Sequence, residues 1–195
     1  MDTMLLPINP YSRAGVKRHA TKAIVVHWVA NPMTSAKANA NYFASLANQK
    51  VKFPIYGSAH YIIGLKGEGI QVIPEEEIAY HCGSTRLDPA SGMVYTNIAR
   101  AKFGTKYCVR LSPNFVTIGI ELCHTDWLGT FTPETYSAAV ALCAELLKKY
   151  NLTTDDLLRH YDIVGWKDCP KWFVNKPDEW AVFKRKVEIR KEELS

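Results

Sequence analysis

Two short apolar segments constrain the fold of this chain more than any other feature. Residues 22–28 have an Ile-Val-Val centre and end at His27 and Trp28, and residues 116–123 contain Ile118 and Ile120. Runs of this length that are rich in β-branched and apolar residues predict buried strands. We therefore expect a sheet with the second segment as a central strand.

Further strands and helices are predicted from the pattern of the remaining segments. The strands cover residues 58–64, 70–73 and 157–160. The helices start behind a cap at Thr34, at Thr132-Pro133 and at Pro177. The loose alternation of the two element types predicts a single-domain α/β fold, with a central mixed β-sheet flanked by α-helices.

The chain divides into three predicted segments. Residues 1–20 contain early prolines and a glycine and are expected to be irregular, residues 21–175 form the body of the domain, and residues 176–195 form a C-terminal helix and tail. Within the body, residues 74–113 make a long excursion with several turn formers. Long ordered excursions often carry function.

Composition excludes several classes of protein. The chain has 195 residues, of which 47% are hydrophobic and 22% charged, and its net charge is +5. These values are typical of a globular chain, and the dispersed basic residues fit an anionic surface as a partner but not nucleic acid. No run approaches the ~18 apolar residues that would span a bilayer, so membrane insertion is not expected.

The cysteines and the N-terminus indicate the compartment of synthesis. Five cysteines are an odd number, and their spacing does not suggest a disulfide framework. The first ten residues contain Asp2, two prolines and only a short Leu5-Leu6 pair, which is unlike a secretory signal. We expect synthesis in the cytoplasm without a signal peptide, and release by another agent for any action outside it.

Three residues suit a metal site. His27 ends the first predicted strand, His160 ends the last, and Cys169 follows nine residues later. Two neutral imidazoles and a thiolate suit a tetrahedral zinc ion with one open position, where a bound water has a pKa of about 7. From spacing alone, isolated histidines and cysteines are more often ordinary structural residues, so that alternative stays open at this point.

Five motifs occur in one order along the chain. They are Ile24-Val-Val-His-Trp28, Ser58-Ala-His-Tyr61, Ala79-Tyr-His-Cys-Gly83, Ile118-Gly-Ile-Glu-Leu122, and the segment from His160 to Cys169-Pro170. Together they resemble the zinc N-acetylmuramoyl-L-alanine amidases, the family that includes phage lysozyme-type amidases and peptidoglycan recognition proteins. The resemblance covers about residues 23–172 and is closest to phage and prophage endolysins of Gram-positive hosts.

The resemblance implies a substrate, a reaction and a set of ligands. Members of the family hydrolyse the amide between the lactyl group of N-acetylmuramic acid and the first L-alanine of the peptidoglycan stem peptide. Residues 21–175 would then be a zinc amidase catalytic domain that acts on the cell wall after release, during host lysis. The implied zinc ligands are His27, His160 and Cys169, the set already chosen from the residues.

Two further residues are candidate catalytic groups. A carboxylate at Glu121, inside a predicted central strand, must be paired, close to a metal, protonated or turned toward solvent. The endolysin branch has a glutamate at the matching position as the proposed general base and acid, which implies that role for Glu121. Lys167 lies two residues before Cys169, where the family has a catalytic lysine, and its ammonium can stabilise an oxyanion.

The chain departs from the family pattern at two positions. Ala59 occurs where some branches have a tyrosine hydroxyl, which gives Glu121 more weight. His81 lies in Ala79-Tyr-His-Cys-Gly83, where relatives usually have Ala-Trp-His-Ala-Gly. His81 and His60 are candidate substrate-binding residues near the metal. The alternative for His81 is a structural histidine that hydrogen-bonds a loop, and the alternative for His60 is a structural or metal-supporting role, since it lies on a strand predicted to pack beside the first.

Three rival functions remain to be weighed. A non-catalytic peptidoglycan-binding module on the same fold usually lacks the cysteine ligand, whereas Cys169 is present. A cysteine hydrolase would need a lowered thiol pKa, and no helix start is marked at Cys169. A purely structural zinc site would usually have a fourth protein ligand, for which His81 is a candidate.

Overall fold

A mixed six-stranded sheet forms the centre of the computed structural model, which describes residues 1–194. Its strands are β1 (Asp2–Thr3), β2 (Ala23–Trp28), β3 (Tyr61–Ile63), β4 (Gly69–Gln71), β5 (Thr117–Leu122) and β6 (Leu157–Arg159). They lie in the order β1-β4-β3-β5-β2-β6, and every neighbouring pair is parallel except β3 and β4. The expected α/β fold with a central mixed sheet is confirmed.

Helices cover both faces of this sheet. Those of the described residues are α1 (Ala36–Ser45), α2 (Asn97–Thr105), α3 (Pro133–Lys149), α4 (His160–Val164), α5 (Lys171–Asn175) and α6 (Pro177–Glu193). Helices α3 and α6 pack with Ile118 and Ile120 in one core, and α1 and α2 pack against the opposite face. Within residues 1–194, no helix has both the length and the apolar character needed to cross a bilayer.

The register of β2 on β5 determines which side chains share a face. His27 is the Cα partner of Glu121, close to the carboxyl ends of both strands. Because successive side chains of a strand point to opposite faces, Val26 and Ile120 enter the core beneath α3, while His27 and Glu121 lie on the other face. In open α/β sheets, ligands bind beyond the carboxyl ends of the parallel strands.

Several element boundaries differ from the sequence predictions. The strand predicted over residues 70–73 is β4, at Gly69–Gln71. Ser35, not Thr34, caps α1, because the Ser35 hydroxyl accepts a hydrogen bond from the Ala38 N–H. The strand predicted over 58–64 shortens to β3, since the Ser58 N–H bonds to the excursion instead of a neighbouring strand. The first twenty residues are not wholly irregular, as they supply β1 at the sheet edge.

Two other segments differ in kind from the prediction. His160 opens α4 instead of ending the last strand, because the Asp162 carboxylate accepts from the Arg159 N–H and starts a helical turn. The excursion over residues 74–113 contains α2, which begins behind a Thr96 cap. Neither effect is visible in hydrophobic periodicity, because both depend on side chains that bond to the main chain.

Candidate metal centre

Four elements bring the candidate residues to one end of the sheet. His27 lies near the end of β2 and Glu121 beside it on β5. His160 opens α4 directly after β6, which is the other parallel neighbour of β2. Cys169 lies in the loop that leads to α5, and its carbonyl accepts a hydrogen bond from the Tyr161 N–H. The parallel topology thus gathers residues that are far apart in the sequence.

His27, His160 and Cys169 form a group that can hold a metal ion. In the described part of the chain, one ligand atom from each lies within 4.8 Å of the others. Cys169 Sγ is 3.6 Å from His27 Nδ1, and the two imidazole centroids are 4.6 Å apart. Tetrahedral zinc has bonds of about 2.0 Å to nitrogen and about 2.3 Å to sulfur, and these bonds would place a nitrogen and a sulfur ligand about as far apart as His27 Nδ1 and Cys169 Sγ are.

The hydrogen bonding of His160 supports a cation at this position. Both ring nitrogens of His160 are buried and have no hydrogen-bond partner among residues 1–194. Buried polar atoms are almost always partnered, so an imidazole left in this state indicates a missing ligand. Burial, aided by the charge of Lys167, lowers the pKa of His160 to about 3, and burial holds the pKa of His27 well below its ordinary value. Neutral imidazole is the form that binds a metal.

The state of Cys169 argues against a cysteine nucleophile. Burial raises the pKa of its thiol to about 12, and the nearby carboxyl of Glu121 acts in the same direction. The thiolate is the nucleophilic form, so without a cation this sulfur is unreactive at neutral pH. A metal that binds here would displace the thiol proton.

Glu121 has the character of a proton carrier. Its side chain is half-buried in the groove wall, and Oε2 has no hydrogen-bond partner within residues 1–194. Desolvation raises the pKa of Glu121 to about 8, while the Lys167 charge opposes this rise. A carboxyl whose pKa lies near neutral pH is suited to accept and return a proton.

The group borders an open groove of about 600 Å³, which its two histidines line. His27, His160, Glu121 and the exposed Lys167 line it, together with His81. The aromatic side chains along the groove are Tyr42, Phe43, Tyr56, Tyr80, Tyr95 and Trp166. An open groove with aromatic walls can admit part of a long polymer, which a closed cavity cannot.

The two remaining candidate histidines occupy different places. His81 Nδ1 lies 2.9 Å from His27 Nε2, on the side of that ring away from Cys169. His60 is fully buried, its Nδ1 accepts from the Gly119 N–H, and its Nε2 lies 3.0 Å from the Glu77 carbonyl. Main-chain groups therefore engage both nitrogens of His60, which favours the structural alternative for this residue.

Sequence reasoning missed the residues that hold His81 in place. Thr117 contacts its ring, and Asn114 accepts hydrogen bonds from the main chain at His81 and Cys82. Gly119 lies so close to the same ring that no side chain fits between them. A glycine inside a predicted central strand was the available signal, because such a glycine often marks a close approach.

Comparisons with known proteins identify the family of this chain. Residues 17–172 match the family model described as N-acetylmuramoyl-L-alanine amidase. The chain is 32% identical over 186 residues to N-acetylmuramoyl-L-alanine amidase BlyA of Bacillus subtilis (strain 168), which covers 95% of this chain and 46% of that protein. A probable N-acetylmuramoyl-L-alanine amidase of Bacillus licheniformis is 32% identical over 183 residues, or 93% of this chain and 45% of that protein. The chain spans less than half the length of these curated relatives.

Solved structures show the same fold. The catalytic domain of XlyA superposes with a TM-score of 0.66 at 21% identity, covering 95% of this chain and 97% of that one. A mutant endolysin from Bacillus subtilis superposes with a TM-score of 0.65, also at 21% identity, over 95% of this chain and 97% of that one. At this level of identity the likeness supports the fold.

Proposed function

We propose that this chain, which belongs to the N-acetylmuramoyl-L-alanine amidase family, hydrolyses the amide between the lactyl group of N-acetylmuramic acid and the L-alanine of the peptidoglycan stem peptide. The observation that carries the proposal is the convergence of two buried imidazoles and a thiol beside an open groove that the two imidazoles line. The same groove holds a carboxyl and an ammonium, Glu121 and Lys167.

The proposed cofactor is zinc. A nitrogen–nitrogen–sulfur donor set suits zinc and does not suit magnesium or calcium, which prefer oxygen ligands. His27, through Nδ1, His160 and Cys169 would hold the ion. When bound, zinc supplies a Lewis acid and lowers the pKa of a water molecule to about 7.

Glu121 is the proposed general base and acid. Its carboxylate takes a proton from the attacking water as the new carbon–oxygen bond forms at the lactyl carbonyl. It then gives that proton to the L-alanine nitrogen as the carbon–nitrogen bond breaks, so the amine leaves neutral. The raised pKa of Glu121, about 8, favours return of the proton, and a nearby cation favours the carboxylate needed at the start.

Lys167 is the proposed stabiliser of the tetrahedral oxyanion. It lines the groove together with Glu121 and His160. Its charge lowers the pKa of both groups, which indicates that the ammonium is close enough to influence charge at this end of the groove. A cation placed where negative charge develops lowers the barrier to amide hydrolysis.

The proposed place of action is the bacterial cell wall. Peptidoglycan is the proposed substrate, and the net charge of +5 favours approach to a wall whose polymers are anionic. An open groove also fits a cross-linked polymer that cannot be enclosed.

Amine release from purified muropeptide tests the proposal. We expect one zinc ion per chain and a new free amine on L-alanine, lost on chelation and restored by zinc. His160→Ala should lose both zinc and amine release. Tight binding of the muropeptide without amine release, by protein with a full complement of zinc, would contradict hydrolysis and indicate a peptidoglycan-binding module instead.

A further inference from the structure

We infer that His81 is a positioning residue, which fixes the tautomer and the ring orientation of His27 so that its Nδ1 lone pair faces the metal site. The inference rests on the proposed function only in that the cation is the proposed zinc. In this inference His81 holds a zinc ligand in place and does not contact the substrate.

Thr117 determines which atoms donate and which accept in the hydrogen bonds that lead through His81 to His27. Its hydroxyl donates to the Pro113 carbonyl over 2.9 Å, and this uses the single proton of the hydroxyl. Thr117 Oγ1 lies 3.0 Å from His81 Nε2 and therefore accepts a hydrogen bond from that nitrogen. A neutral His81 with its proton on Nε2 has a bare Nδ1.

The same series of hydrogen bonds then determines which ring nitrogen of His27 carries the proton. Because His81 Nδ1 is an acceptor, the contact of 2.9 Å to His27 Nε2 requires the proton to be on His27 Nε2. The other nitrogen, His27 Nδ1, is left with its lone pair, and this is the atom 3.6 Å from Cys169 Sγ. The tautomer that binds a metal is thus selected before any metal arrives.

The fold holds the His81 ring on several sides. A Cβ atom at position 119 would lie 2.6 Å from His81 Cγ and 2.7 Å from its Nδ1, so only glycine leaves room for the ring over β5. The Asn114 side-chain oxygen accepts from the main-chain N–H groups of His81 and Cys82. His81 is 8% exposed, so its ring has little freedom to turn away.

A group that hydrogen-bonds the second nitrogen of a metal-ligating histidine has a measurable effect on metal affinity. Such partners orient the ring, and their loss typically costs about 10- to 100-fold in metal affinity. The usual partner is a carboxylate or a carbonyl, and a carboxylate brings negative charge to the site. A neutral imidazole at His81 gives the orientation without that charge.

Zinc affinity in four variants tests the inference. Affinity is measured by competition with a chromophoric chelator, and folding by thermal unfolding of the metal-free protein. His81→Ala should bind zinc about 10- to 100-fold more weakly. His81→Asn should recover most of the affinity, because its side-chain oxygen can accept from the His27 Nε2–H. Thr117→Val should weaken binding and Thr117→Ser should not.

A matched control separates positioning from general loss of stability. Thr135 is also fully buried, and its hydroxyl donates to the Gly64 carbonyl on the far side of the sheet. Thr135→Val should lower thermal stability about as much as Thr117→Val and leave zinc affinity unchanged. Equal losses of zinc affinity in the two valine variants would overturn the inference.

Nitrogen NMR of the metal-free protein gives a readout that needs neither zinc nor substrate. Long-range proton–nitrogen correlations should show His27 protonated on Nε2 in the wild type and a mixture of tautomers in Thr117→Val. A wild-type His27 protonated on Nδ1 would overturn the inference, even where His81→Ala does not fold. Absence of amidase activity in a protein with the expected tautomers would contradict only the proposed function.

Discussion

Glu121 is the residue that allows the proposed metal binding and the proposed chemistry to be tested separately. Its carboxyl lies in the groove and outside the ligand group of His27, His160 and Cys169. Glu121→Gln should keep one zinc per chain and lower kcat by about 10²- to 10⁴-fold, because the shuttle for the proton is lost. Metal analysis and amine release on the same sample measure both quantities. Turnover near the wild-type value would mean that another group is the base.

Lys167 tests the electrostatic part of the mechanism. Lys167→Met should lower kcat by about 10²- to 10³-fold, the usual effect of removing one oxyanion-stabilising group, with zinc content unchanged. Lys171→Met is the matched control, since Lys171 has the same charge, does not line the groove and donates to the Trp127 carbonyl. If the two variants had equal kcat values, Lys167 would have no special role.

At the scale of elements, the sequence predicts the strands whose two faces are both buried. It misses helices whose position depends on hydrogen bonds between side chains and the main chain. The apolar runs of β2 and β5 are visible because both faces of these strands are covered by helices. Helix α2 is not visible, because its polarity is mixed and Gly104 interrupts its helical backbone. The start of α4 at His160 depends on an Asp162 cap.

The candidate site shows the same division. The three candidate ligand residues could be proposed from sequence, because two histidines at predicted strand ends and a nearby cysteine are compatible with a zinc site and lie in motifs that resemble the zinc amidases. The contact between His27 and His81 could not be predicted from sequence, because it joins residues 54 positions apart. It also depends on the space, here called the Gly119 slot, that the absence of a side chain at Gly119 leaves for the His81 ring. Such a contact depends on ring orientation, which residue type and spacing do not encode.

The Gly119 slot in β5 yields a prediction of its own. Gly119→Ala places a methyl group against the His81 ring, so the ring must move. We expect weaker zinc binding and a free energy of unfolding lower by about 1–3 kcal/mol, the usual cost of overpacking. Denaturant titration and chelator competition measure the two effects. Gly57→Ala is the control, because a Cβ there meets only ordinary contacts at 3.9 Å. If the Gly119→Ala variant bound zinc as tightly as the wild type, the close approach of the His81 ring to Gly119 would not matter for zinc binding, and this prediction would be wrong.

At the scale of the whole molecule, metal binding should stabilise the fold. The ligands converge only in the folded state, so zinc at about 1,000 times its Kd adds about 4 kcal/mol. For a chain of this size that corresponds to a rise in Tm of roughly 8–16 °C. Calorimetry with zinc and with chelator measures the difference. The His160→Ala variant should show little rise in Tm with zinc. An equal Tm for zinc-loaded and chelated wild-type protein would contradict the proposed zinc site.

Net charge gives a second prediction at this scale. Lysis of whole cells should slow as salt rises from about 50 to 300 mM, because screening weakens the attraction between a chain of charge +5 and an anionic wall. Hydrolysis of a small soluble muropeptide should change much less, and it serves as the control. Equal salt dependence in the two assays would contradict electrostatic steering toward the wall.

Mass spectrometry of digested peptidoglycan tests the central claim most directly. Insoluble peptidoglycan is incubated with zinc-loaded protein, with chelated protein, and with chelated protein to which zinc is returned. We predict stem peptides with a free L-alanine N-terminus and intact glycan strands, in the first and third samples only. Cleaved glycan, cleavage within the stem peptide, or equal digestion by the chelated protein would contradict zinc-dependent amide hydrolysis.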